Sequence, residues 1–334
     1  MNYTVEPLGP VDNQALLELA RLSHTGSDQF IVDRAPDFFA LGCEWGEPRY
    51  FGLMREDRLI GCIGVTRQVR FLHGREQDVY YLHDLRVHPH FASTRAYYRL
   101  LNHVMQHLRA HANWVFATVL DSNEHRLVLT RGGSLLPSAV PIGRTVHCGV
   151  PLFLPLSGNW QTIRAISPKT AWDVYAAWAR PLNFAPADHT RFRFANGIFL
   201  GAYRKGQLVA VCKVVNQAVS RRLVLSKPLP LSFRLLNVLC RLRGTPLLPQ
   251  QGGVFHHGYL AYYVSVDGSD MRRDFLAYLS RSHRAEFTYV FFGLPNEAAS
   301  SYKGPLNIRL GSTTYAYGEV PNGISMHFHE LTMI

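Results

Sequence analysis

Apolar positions along this chain follow two periods, and each period marks a different kind of element. Tyr97, Leu100, Leu101, Val104 and Leu108 recur at helical spacing with Asn102, Gln106 and Arg109 between them, which predicts an amphipathic helix. Leu16, Leu19 and Ala20 do the same over Gln14 to Arg21, after a short apolar strand from Tyr3 to Val5. Phe51 to Val65 reads instead as two strands around a polar turn at Glu56-Asp57-Arg58. Trp114 to Leu120, Tyr259 to Val266 and Phe287 to Leu294 are mostly apolar runs of strand length.

The pattern repeats. Leu200 to Val214 is a second hairpin that aligns without gaps on the first, placing Gly201, Arg204, Leu208 and Val214 on Gly52, Arg55, Leu59 and Val65. Upstream lie a strand (Thr162 to Ile166) and a helix starting at Pro168, a favoured first residue, with Trp172, Tyr175, Ala176 and Ala179 on its face. Trp114 to Leu120 runs into Asp121-Ser122-Asn123-Glu124, and Phe287 to Leu294 into Pro295-Asn296-Glu297, both ahead of helical segments. Two halves are therefore expected, 1–153 and 159–334, joined near Pro151 to Asn159. The second carries an insertion around 219–258 with a basic amphipathic helix, Leu231 to Arg243. Packing against the other half is the expected role of that helix. Roofing an acyl-chain tunnel, docking an acidic carrier and touching a membrane are the alternatives.

Composition narrows the function classes. At 47% hydrophobic and 12% aromatic the chain has material for real cores. Its +11 charge is mostly arginine, the first lysine being Lys169, which suits an anionic cofactor or an acidic partner. No basic block interleaved with aromatics suggests nucleic acid. No apolar run reaches the roughly 20 residues of a membrane span and no secretory leader is visible, so a soluble, cytoplasmic protein without a transmembrane segment is expected. Cys43, Cys62, Cys148, Cys212 and Cys240 are scattered without a C-x-x-C pair, against a disulfide framework or structural zinc. His327 and His329 are expected on one strand face and His256-His257 near the insertion, but without a third ligand at fixed spacing no metal site is expected.

The strand ending Asp84-Leu85-Arg86-Val87-His88-Pro89 leads through Ala92-Ser93-Thr94 into the helix of Tyr97 and Leu108. Free amides and the macrodipole make such a helix start an anion site. Together with the element order, this segment resembles the acyl-CoA-binding strand–loop–helix of the GCN5-related N-acetyltransferase (GNAT) superfamily. The resemblance implies a mixed α/β fold with a mostly antiparallel sheet flanked by helices, here as two tandem GNAT-like domains. It further implies acetyl-CoA or a longer acyl-CoA as co-substrate, held by Leu85, Arg86, Val87, Ala92, Ser93, Thr94, Arg95, Ala96, Tyr97 and Asn123. In the family, Val-x-Pro is followed by Arg/Gln-x-x-Gly-x-Gly/Ala; here those positions are Ala92, Arg95 and Tyr97. Ser93 or Thr94 can cap the helix, and Arg95 can supply a charge-assisted contact in place of the glycines.

For catalysis the resemblance points to Asp84 as base or amine anchor, with pairing to an arginine as the structural reading. Strand alternation would set Asp84 with Leu82 and Arg86 on one face, opposite His83, the second candidate base. The tyrosine that serves the family as general acid is missing near Val128 and Leu129, whereas Tyr302 matches it in the second half. The expected activity is N-acyl transfer, most simply acetyl transfer, to a small-molecule or peptide amine. The alternatives are a non-catalytic scaffold and transfer from an acidic acyl carrier protein.

Overall fold

A computed structural model describes residues 3–23, 30–92, 94–109, 112, 114–123, 139–193, 197–304, 306–317 and 326–329. The first half contains β1 (Thr4–Leu8), α1 (Asn13–Leu22), β2 (Phe30–Asp33), α2 (Ala40–Trp45), β3 (Glu47–Arg55), β4 (Arg58–Leu72), β5 (Arg75–Val87), α3 (Thr94–Leu108), β6 (Val115–Leu120) and β7 (Ala139–Pro151). The second contains β8 (Ile163–Ala165), α4 (Pro168–Ala179), β9 (Ala185–Pro186), α5 (His189–Arg193), β10 (Gly197–Arg204), β11 (Gln207–Val215), β12 (Arg222–Leu225), α6 (Leu231–Arg243), β13 (Val254–Phe255), β14 (His257–Ser265), α7 (Arg272–Ser282), β15 (Tyr289–Pro295) and β16 (Ile308–Tyr317).

The helices form for local reasons and are fixed by burial. Ser167 caps α4 by accepting the Thr170 amide at 3.0 Å, and Pro168 opens its first turn. The apolar stripe of α3 buries Leu100, Leu101, Val104 and Leu108 against Phe51, Leu53 and Ile63 of the sheet. Each such side chain contributes roughly 1.5 to 3 kcal/mol when fully buried.

The hairpin repeat holds in three dimensions. Glu56 and Asp57 both have positive φ, as do Lys205 and Gly206, so each hairpin closes through the two-residue turn that matches strand twist. Each pairing slips once, between Leu53 and Met54 and between Ala202 and Tyr203, at aligned positions. The aligned glycines share one cause. A Cβ on Gly52 would meet Leu59 and Leu8 at 2.7 Å, and one on Gly201 would meet Leu208 at 2.6 Å and Ile166 at 3.0 Å.

All the major strands join one sheet in the order β1-β3-β4-β5-β6-β16-β7-β15-β14-β11-β10-β8, with β9 beside β4. Within it β5/β6 and β14/β15 pair parallel and the other pairs are antiparallel. The two long strands β7 and β16, which periodicity did not single out, lie at its centre and are exchanged. β7 pairs with β15 of the second half and β16 with β6 of the first, and the two pair with each other.

The insertion supplies β12, α6 and β13. β12 bridges β13 and β2 of the first half in a separate three-stranded sheet. Sequence leads one to expect α6 against the other half; its inner face packs instead mostly on its own, where Phe233, Leu236 and Cys240 join Phe255, Tyr259 and Tyr289, with Phe30 from the first half. Residues 326–329 are irregular, so His327 and His329 do not share a strand face; His329 Nδ1 lies 2.9 Å from the Thr145 hydroxyl.

Candidate active site

The pairing of β5 with β6 runs from Tyr80↔Val115 to Leu82↔Ala117 and stops, although both strands continue. The cause lies on the other side of β5. Cys62 pairs with Arg86 and Gly64 with His83, so Asp84 and Leu85 together face the single residue Ile63. Asp84 takes the extra residue of this bulge at φ +48°, a left-handed conformation that aspartate tolerates better than most side chains. The bulge turns β5 away from β6 and leaves two strand edges diverging. The second half repeats the device: Tyr262 has φ +52°, and β14 leaves β15 after Tyr259↔Phe291. There the surroundings are filled. Tyr262 packs on Tyr175 and Phe192, and the Arg272 guanidinium lies 3.9 Å from the centre of the Tyr263 ring.

The first fork opens into a cavity of about 560 Å³ between the halves, within the usual range for small-molecule sites. Its walls are mostly apolar. Leu82, Leu85 and Ile63 come from the first half, Tyr289, Phe291 and Ile308 from the second, and Leu229, Phe233 and Leu248 from the insertion. Alternate residues of β2 and its continuation, Phe30, Val32 and Arg34, face it.

The polar lining is concentrated around Asp84. Its carboxylate accepts from Arg34 Nη1 at 2.9 and 3.1 Å, from Arg86 Nη2 at 3.3 Å and Nε at 3.4 Å, and pairs with His83 Nδ1 at 3.1 Å. Arg34 is itself fixed by the Phe38 carbonyl at 2.6 Å and Arg86 by the Ser23 carbonyl at 2.9 Å. Burial would raise the Asp84 pKa, but Arg34, His83 and Arg86 outweigh it and hold the carboxyl well below its usual range. Burial pushes the His83 imidazole down against the pull of Asp84, and its Nε2 lies 2.7 Å from the Thr66 hydroxyl. Regular strand alternation would separate Asp84 from His83. The bulge cancels it, so neighbouring side chains touch.

Of the residues expected to hold a thioester cofactor, Leu85, Arg86 and Asn123 line the cavity. Val87 is buried beneath the fork, pairing with Gly61. Ala92 donates its amide to the Pro89 carbonyl at 3.2 Å, so that amide is committed to the turn rather than to an anion. Ser93 lies outside the described residues, as do Val128 and Leu129, and α3 begins at Thr94. Arg95 is exposed, while Ala96 and Tyr97 face the core with Leu100 and Leu101. Neither Arg95 nor Tyr97 lines the cavity. The structure does not bring Tyr302 to Asp84. Its hydroxyl donates to Asp270 at 2.8 Å, its ring packs 4.8 Å from Phe292, and burial raises its pKa.

Sequence reasoning missed Arg34, His147, Arg221 and Tyr259, all of which line the cavity. His147, on exchanged β7, sits 2.7 Å from the Ser312 hydroxyl on exchanged β16, and burial lowers it to about 3. No periodic signal marks these residues. Buried arginine flanked by apolar strand residues was the one available hint.

Residues 14–129 match the acetyltransferase (GNAT) family model. No curated protein matches the chain. Among solved structures, N-myristoyltransferase of Saccharomyces cerevisiae, solved with bound myristoyl-CoA, is similar over 94% of this chain and 82% of its own, at 11% identity and a TM-score of 0.60. A GCN5-related N-acetyltransferase from Anabaena variabilis ATCC 29413 is similar over 94% and 72%, at 10% identity and 0.54. A probable N-acyltransferase from Enterococcus faecalis V583 is similar over 95% and 72%, at 7% identity and 0.55. At these identities the likeness is one of fold: the GNAT fold, in a two-lobed arrangement.

Proposed function

We propose that the protein is an N-acyltransferase that moves an acyl group from acyl-CoA to an amine acceptor in the cavity between its halves, which we take as 1–153 and 159–334. The fork between β5 and β6, opening on that cavity, carries the reading. Strand edges without a neighbour offer backbone donors and acceptors to an extended ligand with amides of its own, such as a pantetheine arm. Leu85, Arg86 and Asn123 would flank that arm, with Val87 supporting them from the core. The backbone amides of the first turn of α3, from Thr94 to Tyr97, would face the diphosphate. In the reaction the amine nitrogen bonds the acyl carbon, the carbon–sulfur bond breaks, and the departing sulfur takes up the proton the amine loses.

Asp84 is best read as a positioning residue. Its oxygens are saturated with donors, and so acidic a carboxylate makes a poor proton acceptor. Tyr302 is read as structural. Thermal shift with acetyl-CoA and longer acyl-CoAs tests binding, since a ligand of the native state raises Tm; release of free thiol on adding amines tests turnover. No shift with any thioester would favour a scaffold, and response to a phosphopantetheinylated carrier alone would move the donor to an acyl carrier protein.

A further inference from the structure

Arg221 lies in the cavity wall at the end of the turn between β11 and β12, and is 4% exposed. Its Nη2 donates to Gln217 Oε1 at 2.6 Å and to the Tyr259 hydroxyl at 2.7 Å. His257 orients that hydroxyl. Its Nδ1 donates to the Phe255 carbonyl at 2.9 Å, which leaves Nε2, 2.9 Å from Tyr259, to accept. Burial lowers His257 to about 4, so it stays neutral. Among the described residues every partner of Arg221 is uncharged, and its buried Nε has none. Glu44 reaches the group at one remove, through Gln217 Nε2 at 2.9 Å. Among the described lining residues, Arg34, Arg86 and Arg221 stand against the single carboxylate of Asp84. A guanidinium this deep in apolar walls is unfavourable unless an anion joins it.

We propose that Arg221 binds a carboxylate of the acceptor, so that the acceptor is an amino acid with an apolar side chain. The amine part rests on the N-acyltransferase reading; the carboxylate part does not. Titration calorimetry with phenylalanine, phenylalanine amide and 3-phenylpropionate, repeated with leucine and its amide, separates them. The wild type is expected to bind each acid about 30-fold or more tightly than its amide, and Arg221→Met to erase that preference. Arg221→Lys, which keeps the charge but not the fork, is expected to retain part of it. An amide that binds as well as its acid, an acid preference that survives Arg221→Met, or no binding by any acid overturns the proposal. Binding of 3-phenylpropionate through Arg221, with no acylation of any amino acid, would uphold the anion site and sink the transferase reading.

A second, independent observation concerns the outside of α6. Leu231, Leu235, Val238 and Leu242 are 72%, 68%, 57% and 77% exposed on one stripe, with exposed Arg241 and Arg243 at its end. Between Asp188 and Asp267 the chain has no acidic residue, so the exposed Arg241 and Arg243 at the end of the stripe have no acidic neighbour along the chain. We infer that α6 seats this face on an anionic lipid surface. The long apolar stripe favours a lipid over a carrier protein, whose recognition rests on charge. Flotation with phosphatidylglycerol/phosphatidylcholine vesicles should recover the wild type, and pure phosphatidylcholine far less. Leu235→Glu/Leu242→Glu and Arg241→Glu/Arg243→Glu should each abolish recovery. Recovery unaffected by either pair, or capture by an acidic carrier protein without vesicle binding, refutes it.

Discussion

Replacing Asp84 by Asn removes one charge at nearly constant shape and strands two buried guanidiniums. Arg34 and Arg86 have side chains 1% and 5% exposed, and Asp84 is the anion they share. Breaking a buried pair from one side costs about 3 to 5 kcal/mol, because the remaining charge stays buried without compensation. Denaturant unfolding of Asp84→Asn should show that loss, with the slope unchanged. Arg34→Met/Asp84→Asn should recover part of it, Arg86 remaining unpaired, and the double-mutant cycle should show coupling. The sign with pH follows from the depressed folded-state pKa. An unfolded aspartate titrates near about 3.9, so the stabilisation is fully present above that value and is lost as pH falls toward the lower folded value. Asp84→Asn should lack that acid-side loss. A variant as stable as the wild type within about 1 kcal/mol, but with turnover down a hundredfold or more, would refute the positioning role and restore Asp84 as a proton acceptor.

His257, lowered to about 4, binds a proton in the unfolded chain but not in the folded one between roughly pH 6.5 and 4. It should therefore withdraw up to about 3 kcal/mol as pH drops through that window, and His257→Gln should flatten urea-unfolding stability there. Gly52→Ala and Gly201→Ala should each lower stability by about 1 to 3 kcal/mol in thermal melts, since a methyl group at either meets a leucine under 3 Å away. A neutral result at one and not the other would mean the two hairpin environments are not equivalent. Tyr302→Phe loses the hydrogen bond to Asp270 and should cost about 1 kcal/mol while leaving acyl transfer unchanged; a large fall in kcat would place Tyr302 in the chemistry.

Local pattern was enough for most individual elements. The stripe of Leu100, Leu101, Val104 and Leu108 can bury only as a helix, and Ser167-Pro168 can start one without help from distant residues. The doubled hairpin was equally legible, because matching glycines answer to matching leucines within a few residues along the chain. The strand before α3 was recognisable, but the conformation that makes its end useful was not. Nothing in Leu82 to Arg86 announces a left-handed aspartate; it follows from two residues of β5 having to pass one of β4. Nor does a hydrophobic period say which sheet a strand joins. β7 and β16 change halves because the partner edges they need, β15 and β6, are brought together only by the assembled sheet. The cavity has the same origin. Arg34, Asp84, His147 and Arg221 are scattered over nearly 190 residues of sequence and become one electrostatic unit only when the insertion pairs with β2 and closes over the fork. Sequence carries what short-range sterics and burial decide; the site depends on charges whose energies are set by neighbours the chain meets only after folding.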